Sequence, residues 1–469
     1  MDRPASLFPK KRIAVLGGGC AGLAAALQLI KKGYEVFIFE QDSQIGGICG
    51  SVAINGNVYE HGPHLFHTVD KEIFSTIRNI TGNDIFSVKR NILIKFSGEY
   101  FTYPLSVKNV IKKLSFSILI KTFFSFFFHF FKSIIIKSSP ETSETVLIRS
   151  YGRVFYELFF KSYITHVWGI PPSKLSPKFA EQRIPKLITI DFINKIISGF
   201  NVMIKRKVST LDYVEKVEGK FYTTKIGFLG IIAKIGKEIE KNGGHIYINK
   251  KVIGLKCQGK QITHVIAEPN SELFECDGVV STIPISNMIK MITPSLPFEI
   301  VQSAERLKFR AIVFVGLLIE KDKVLPASFV YFREHSFNRI TDFSYFNFEI
   351  KPKNNTIIVA EIACGIDDRF WLDDNFCKES VINDLIEENL ISRKILKEVH
   401  VFRLEYGYPI YKLGIENVLK KLFDSVAAIN NLMLAGRQGR FQYVNAHIAM
   451  KMGYEAADLL DVNLKNRFD

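Results

Sequence analysis

Three of the chain's ten histidines fall within eight positions, in the run His61-Gly62-Pro63-His64-Leu65-Phe66-His67-Thr68. Such a cluster can bind a metal, move protons or line a cofactor. A metal site needs further ligands, and the remaining histidines lie far off with no ligand-like spacing. The six cysteines, at 20, 49, 257, 276, 364 and 377, contain no CxxC pair. The expectation is therefore reduced thiols and no metal.

A second set of residues has phosphate chemistry. Gly17, Gly19 and Gly22 form GxGxxG, and Glu40 follows 23 positions after Gly17. The glycines allow a tight turn, close approach of backbone to a pyrophosphate, and close helix–strand packing. Glu40 can accept hydrogen bonds from both ribose hydroxyls, and the lack of an arginine just after it disfavours a 2′-phosphate.

These residues need elements to hold them. Ile13 to Leu16 is an apolar run expected as a buried parallel strand. A helix is expected from Cys20 to about Lys32, its positive end aimed at the pyrophosphate, with Gly33 as its stop. Tyr34 to Phe39 reads as the second strand, which Glu40 ends. The register of strand, turn, helix, strand and acid predicts a dinucleotide-binding βαβ unit.

The next motifs carry a family resemblance. Gly46 and Gly47, in GGICGS (46–51), resemble the continuation found in FAD-binding amine-oxidase-type flavoproteins. YEHGPHLFHT (59–68) resembles the GPHxFHT motif of UDP-galactopyranose mutases and related protoporphyrinogen-oxidase-like proteins. That resemblance places His64 beside the flavin. YELFFKSYITHVWG (156–169) is similar to the mutases' FFKxYxxxxWG motif, implying that Tyr163 and Trp168 line a sugar-nucleotide site. QRIP (182–185) and FNRIT (337–341) resemble segments that supply diphosphate-binding arginines, here Arg183 and Arg339. NLMLAGRQGRFQY (431–443) resembles the closing FAD element, which puts Arg437 on the flavin side and Tyr443 on the substrate diphosphate. YGYPIYKLG (406–414) matches a structural strand edge. Asn445 and His447 depart from the acid–x–acid pattern of the mutases.

The implied fold is α/β: a discontinuous Rossmann-like FAD-binding lobe, a helical lobe and an antiparallel-sheet substrate lobe. The expected boundaries are 1–105, 221–294 and 425–469 for the FAD lobe, 106–220 for the helices and 295–424 for the sheet. The implied cofactor is non-covalent FAD, reduced for mutase chemistry, with NAD(P)H as candidate donor. Two reactions follow from the resemblance: pyranose–furanose interconversion of a nucleotide sugar for surface polysaccharide, or oxidation of an apolar or lipid-linked substrate as in protoporphyrinogen and amine oxidases. A third reading is a flavin-binding protein without chemistry.

Composition bounds the partners. A 469-residue chain that is 47% hydrophobic and 23% charged is globular and long enough for two or three lobes. Its net charge of +15 favours an anionic partner. No zinc-finger or RRM signature supports nucleic acid, leaving an anionic small molecule or an acidic membrane. FSILIKTFFSFFFHFFKSIII (116–136) has nearly the length of a membrane span, but Lys121, His129 and Lys132 interrupt it. It suits buried helices, or, over 112–137, a basic helix lying against a membrane. The start of the chain lacks an uninterrupted apolar core, so no signal peptide is expected. A cytoplasmic protein, peripheral on the inner membrane face if that helix docks, is the resulting expectation. Nothing in the sequence fixes an oligomeric state.

Overall fold

The computed structural model describes residues 10–105, 107–135, 140–183 and 220–466. A five-stranded parallel sheet runs in the order Leu432–Leu434, Gly278–Ser281, Arg12–Leu16, Glu35–Phe39, His245–Tyr247. Three distant parts of the chain thus build one lobe, as the motif order predicts. Ile13, Val15, Val36 and Ile38 pack beneath helices Cys20–Lys31, Phe228–Lys241 and Ala446–Lys465. Ala14, Leu16, Phe37 and Phe39 face a second core on the other side. Burial on both faces is why these strands read as plain apolar runs. At Gly22 a Cβ would lie 2.0 Å from the carbonyl oxygen of Gly17, so only glycine lets the helix close onto its own turn.

A seven-stranded sheet forms the lobe expected to hold substrate, in the order Leu396–Pro409, Phe309–Ile319, Thr356–Cys364, Arg339–Asp342, Phe329–Tyr331, Ile92–Phe96, Glu99–Thr102. Its ladders are antiparallel except where Phe329–Tyr331 meets Ile92–Phe96. The expected boundary at 105 changes here: residues 92–102 hydrogen-bond to the substrate sheet, not to the FAD lobe. A short apolar run reveals that a strand is buried, but not which distant strand pairs with it. The strand matched by YGYPIYKLG lies at the sheet edge, as expected.

Alternation along this sheet divides two cores. Val313, Val315 and Leu317 pack with Val381 and Leu385 of helix Asp374–Glu387. Ile312, Phe314 and Leu318 point the other way, towards the parallel sheet. In Thr356–Cys364 the same period of two puts Ile358, Ala360 and Ile362 in the first core and Ile357, Val359 and Ala363 in the second. Glu361 shares the face of Val359 and Ala363.

Within the helical lobe, one helix opens on a reciprocal cap. Thr142 Oγ1 accepts from the Thr145 amide at 3.2 Å, and Thr145 Oγ1 accepts from the Thr142 amide at 2.8 Å. This satisfies two amide donors at the start of helix Ser143–Tyr151. A π-helical turn, Glu157–Lys161, joins Arg153–Tyr156 to Ser162–Trp168. Such turns shift side chains relative to a regular helix, and here Phe159, Phe160 and Tyr163 all reach one cavity. Phe116–Ile135 is a single helix of 20 residues. Among the described residues no helix is long and apolar enough to cross a membrane.

Candidate active site

A cavity of about 580 Å³ lies between the lobes. Its walls include Gly17, Gly19, Glu40, Gly46 and Gly47 together with His64, Tyr163, Trp168, Arg339, Arg437 and Tyr443. Gly22 stands behind this wall, packed on Gly17. Arg183 ends helix Pro177–Arg183, and its side chain lies outside the described residues.

The nucleotide half is built from two glycine loops. Gly46 N–H donates to the Gly18 carbonyl at 3.0 Å, so the second glycine pair folds back onto the first. Helix Cys20–Lys31 starts at Gly19 with no side-chain cap, leaving its first amides available to an anion. Glu40 is buried, accepting from the amides of Gly18 at 2.8 Å and Asp42 at 3.0 Å. Burial raises its pKa, and those amides partly oppose the rise. Uncapped helix start, glycine cradle and fixed acid fit an adenine dinucleotide.

The other half centres on the His61–His64 bend. Gly62 has φ +98°, and a Cβ there would fall 2.9 Å from Glu361 Oε1. The bend can therefore rest on that carboxylate only because residue 62 is glycine. His64 is half-buried with its Nδ1 buried and unpartnered among the described residues, and desolvation, aided by the nearby Arg437, pushes its pKa down to about 3. His61 stacks on Phe314 with centroids 5.3 Å apart, and burial takes it down to about 4. Both rings are neutral near pH 7. They can orient a flavin or substrate by hydrogen bonding but are poor proton donors.

Beneath the bend, Arg339 and Glu361 face each other in sheet register. Arg339 Nε donates to Glu361 Oε1 at 2.6 Å and Nη2 to Oε2 at 2.7 Å. Burial opposes charge on Arg339, but Glu361, with Tyr331 and Tyr408 beyond it, holds its pKa well above the usual value. Arg437 donates to the carbonyls of Val444 at 2.7 Å and Gly407 at 3.3 Å. Both acceptors are neutral, and among the described residues no carboxylate pairs with it. Its Cζ lies 4.3 Å from the Tyr443 ring centroid. From there a row of rings continues through Tyr408 at 5.2 Å to Trp168 at 5.9 Å. Tyr163 meets Tyr331 edge-on at 6.0 Å.

Sequence reasoning did not single out Glu361, Tyr408 or Arg333. Arg333 lines the same cavity, sits 4.3 Å over Phe96 and donates to Ser162 Oγ, while its Nε and Nη1 are buried without partners among the described residues. Burial lowers its pKa. Glu361 had a visible signal, a lone acid inside the apolar run TIIVAEIAC. Arg333 had none.

Known proteins share this architecture. Residues 15–80 match the family model for an NAD(P)-binding Rossmann-like domain. Residues 199–460, more than half the chain, match the model for flavin-containing amine oxidoreductases. The chain belongs to the flavin-containing amine oxidoreductase family. FAD is therefore the cofactor for which this amine-oxidoreductase fold is built. The "Probable UDP-galactopyranose mutase" of Klebsiella pneumoniae is 26% identical over 184 residues, 39% of this chain and 47% of that protein. Protoporphyrinogen oxidase 2 of Arabidopsis thaliana is 37% identical over 70 residues, 15% of this chain and 14% of the oxidase. The chain thus aligns with less than half the length of these curated relatives. A reduced UDP-galactopyranose mutase has the same fold, with TM-score 0.78, 19% identity and coverage of 98% of this chain and 97% of that one. Putrescine oxidase bound to putrescine follows at TM-score 0.61 and 16% identity, over 97% of this amine-oxidoreductase chain and 99% of the oxidase. Mutase and oxidase relatives therefore stand side by side within the family.

Proposed function

We propose that this flavoenzyme interconverts pyranose and furanose forms of a nucleotide sugar, as a UDP-galactopyranose mutase does. The observation that carries the reading is the row Trp168–Tyr408–Tyr443 ending on the Arg437 guanidinium, beside the His64 bend. Flat rings stack a nucleobase or support a sugar face, and a cation at their end attracts a diphosphate. FAD, when bound, would supply the electron-rich ring that the sugar carbon meets. The chain's own residues position and neutralise: Arg437 draws the leaving diphosphate, Tyr163 and Trp168 wall the sugar, and neutral His64 orients without titrating. Arg339 acts through Glu361, because its fork is already filled by that carboxylate.

The test uses the purified holoprotein, reduced with dithionite and titrated with UDP-galactose. Tighter binding to the reduced than to the oxidised protein, with an isomer resolved by HPLC, is expected. A second reading, oxidation of an apolar substrate, is favoured by Tyr151, Phe155, Phe159 and Phe160 on the cavity wall. Anaerobic bleaching of the flavin by such a substrate, with no affinity for UDP-galactose in either redox state, would replace the first reading with the second.

A further inference from the structure

Helix Phe116–Ile135 turns its apolar side outward. Phe116, Ile120, Phe124, Phe128, Phe131 and Ile135 recur every three or four residues, and each is at least 41% exposed. Three- and four-residue spacing puts them on one stripe of the helix. Five of the six exposed phenylalanines among the described residues lie here, so this is one patch and not the usual scatter. The opposite side is packed: Phe126 is buried, and its backbone lies where a Cβ on Gly152 would approach to 2.6 Å. Gly152 joins Ser143–Tyr151 to Arg153–Tyr156, helices whose Tyr151 and Phe155 wall the cavity.

Charge decides what covers the patch. Residues 107–135 hold Lys108, Lys112, Lys113, Lys121 and Lys132 and neither Asp nor Glu. Lys112, Lys121 and Lys132 are exposed. Symmetric pairing with a second copy would set this lysine-bearing face against itself. A span would carry Lys121 into the bilayer interior, where a charge is costly. An anionic lipid surface satisfies both features, burying the rings at the headgroup boundary while the lysines stay among phosphates.

We infer that the Phe116–Ile135 face docks the protein on an anionic phospholipid bilayer, with the helix lying in the headgroup plane. This goes beyond the reaction assigned to the cavity and holds whichever chemistry occurs there. The experiment is co-sedimentation of the flavin-loaded full chain with vesicles of phosphatidylcholine and phosphatidylglycerol at ~3:1, against phosphatidylcholine alone. The wild type should pellet with the anionic vesicles and stay largely in the supernatant with neutral ones. Phe124→Asp combined with Phe128→Asp should abolish pelleting while leaving the flavin spectrum and thermal midpoint unchanged. Lys121→Glu with Lys132→Glu should weaken partitioning on the order of tenfold or more. No pelleting of the wild type, equal pelleting of the phenylalanine variant, or equal binding to neutral vesicles would each overturn the inference. So would a wild-type dimer in ultracentrifugation that Phe124→Asp dissociates, which would assign the face to a second copy instead.

Discussion

At the residue scale the Arg339–Glu361 pair dominates the site, because Glu361 is only 1% exposed and has both oxygens engaged. Glu361→Gln keeps the shape but strands a guanidinium in the interior, and breaking a buried pair typically costs about 3–5 kcal/mol. A loss of at least ~3 kcal/mol in denaturant-derived stability is expected; a loss below ~1 kcal/mol, the range of solvent-exposed pairs, would mean that water reaches the arginine. The histidines of the bend give a pH signature. Their folded pKa values, about 3 for His64 and about 4 for His61, lie below the ordinary 6.5. The unfolded chain therefore binds more protons below about pH 6.5, so their contribution is complete above that pH and is lost as pH falls towards 4. Each contributes a slope of up to about 1.4 kcal/mol per pH unit. His64→Gln should flatten the wild-type stability curve between pH 6 and 4, read as the difference between the two proteins. Parallel curves would show that His64 titrates normally. The glycines and Glu40 were legible because backbone approach to a phosphate constrains residue type at fixed spacing. Tyr408 was not, and Glu361 showed only as a lone acid in an apolar run, since their neighbours are set by strand register and lobe packing rather than by sequence distance.

At the element scale, the order of strand, turn and helix at the nucleotide end was readable and pairing partners were not. The Thr142–Thr145 box opens helix Ser143–Tyr151, which carries Tyr151 to the cavity wall. Thr142→Ala removes one half of the box and should lower stability by about 1 kcal/mol in a urea titration, with the flavin spectrum retained. A neutral result would show that the Ser143 hydroxyl, bonded to the Ser176 carbonyl at 2.5 Å, fixes the helix start instead. Strands 92–102 illustrate the opposite case. Strand Ile92–Phe96 pairs with Phe329–Tyr331, more than 200 residues later, and no local pattern encodes that choice. The Phe-rich helix was ambiguous for a related reason: its phenylalanines spread over more than one side, and the packing of Phe126 against the Gly152 joint decides which of them face out.

At the scale of the whole molecule, Gly17, Trp168 and Arg339 come from three lobes and line one cavity. A ligand filling that space can tie the lobes together, since binding to the folded state alone stabilises by about 4 kcal/mol at a thousandfold excess over its Kd. The chain offers its own reporters, having two tryptophans, with Trp168 in the helical lobe and Trp371 beside the substrate sheet. Trp371→Phe leaves fluorescence that reports the first lobe, and Trp168→Phe leaves fluorescence that reports the second. With saturating FAD the two denaturation curves should superimpose and shift together to higher denaturant. When FAD is removed, both curves should shift back to lower denaturant. Separate transitions that persist with FAD bound would mean that the cofactor stabilises only the glycine-loop lobe, and that the cavity is a seam between independent bodies rather than a shared core.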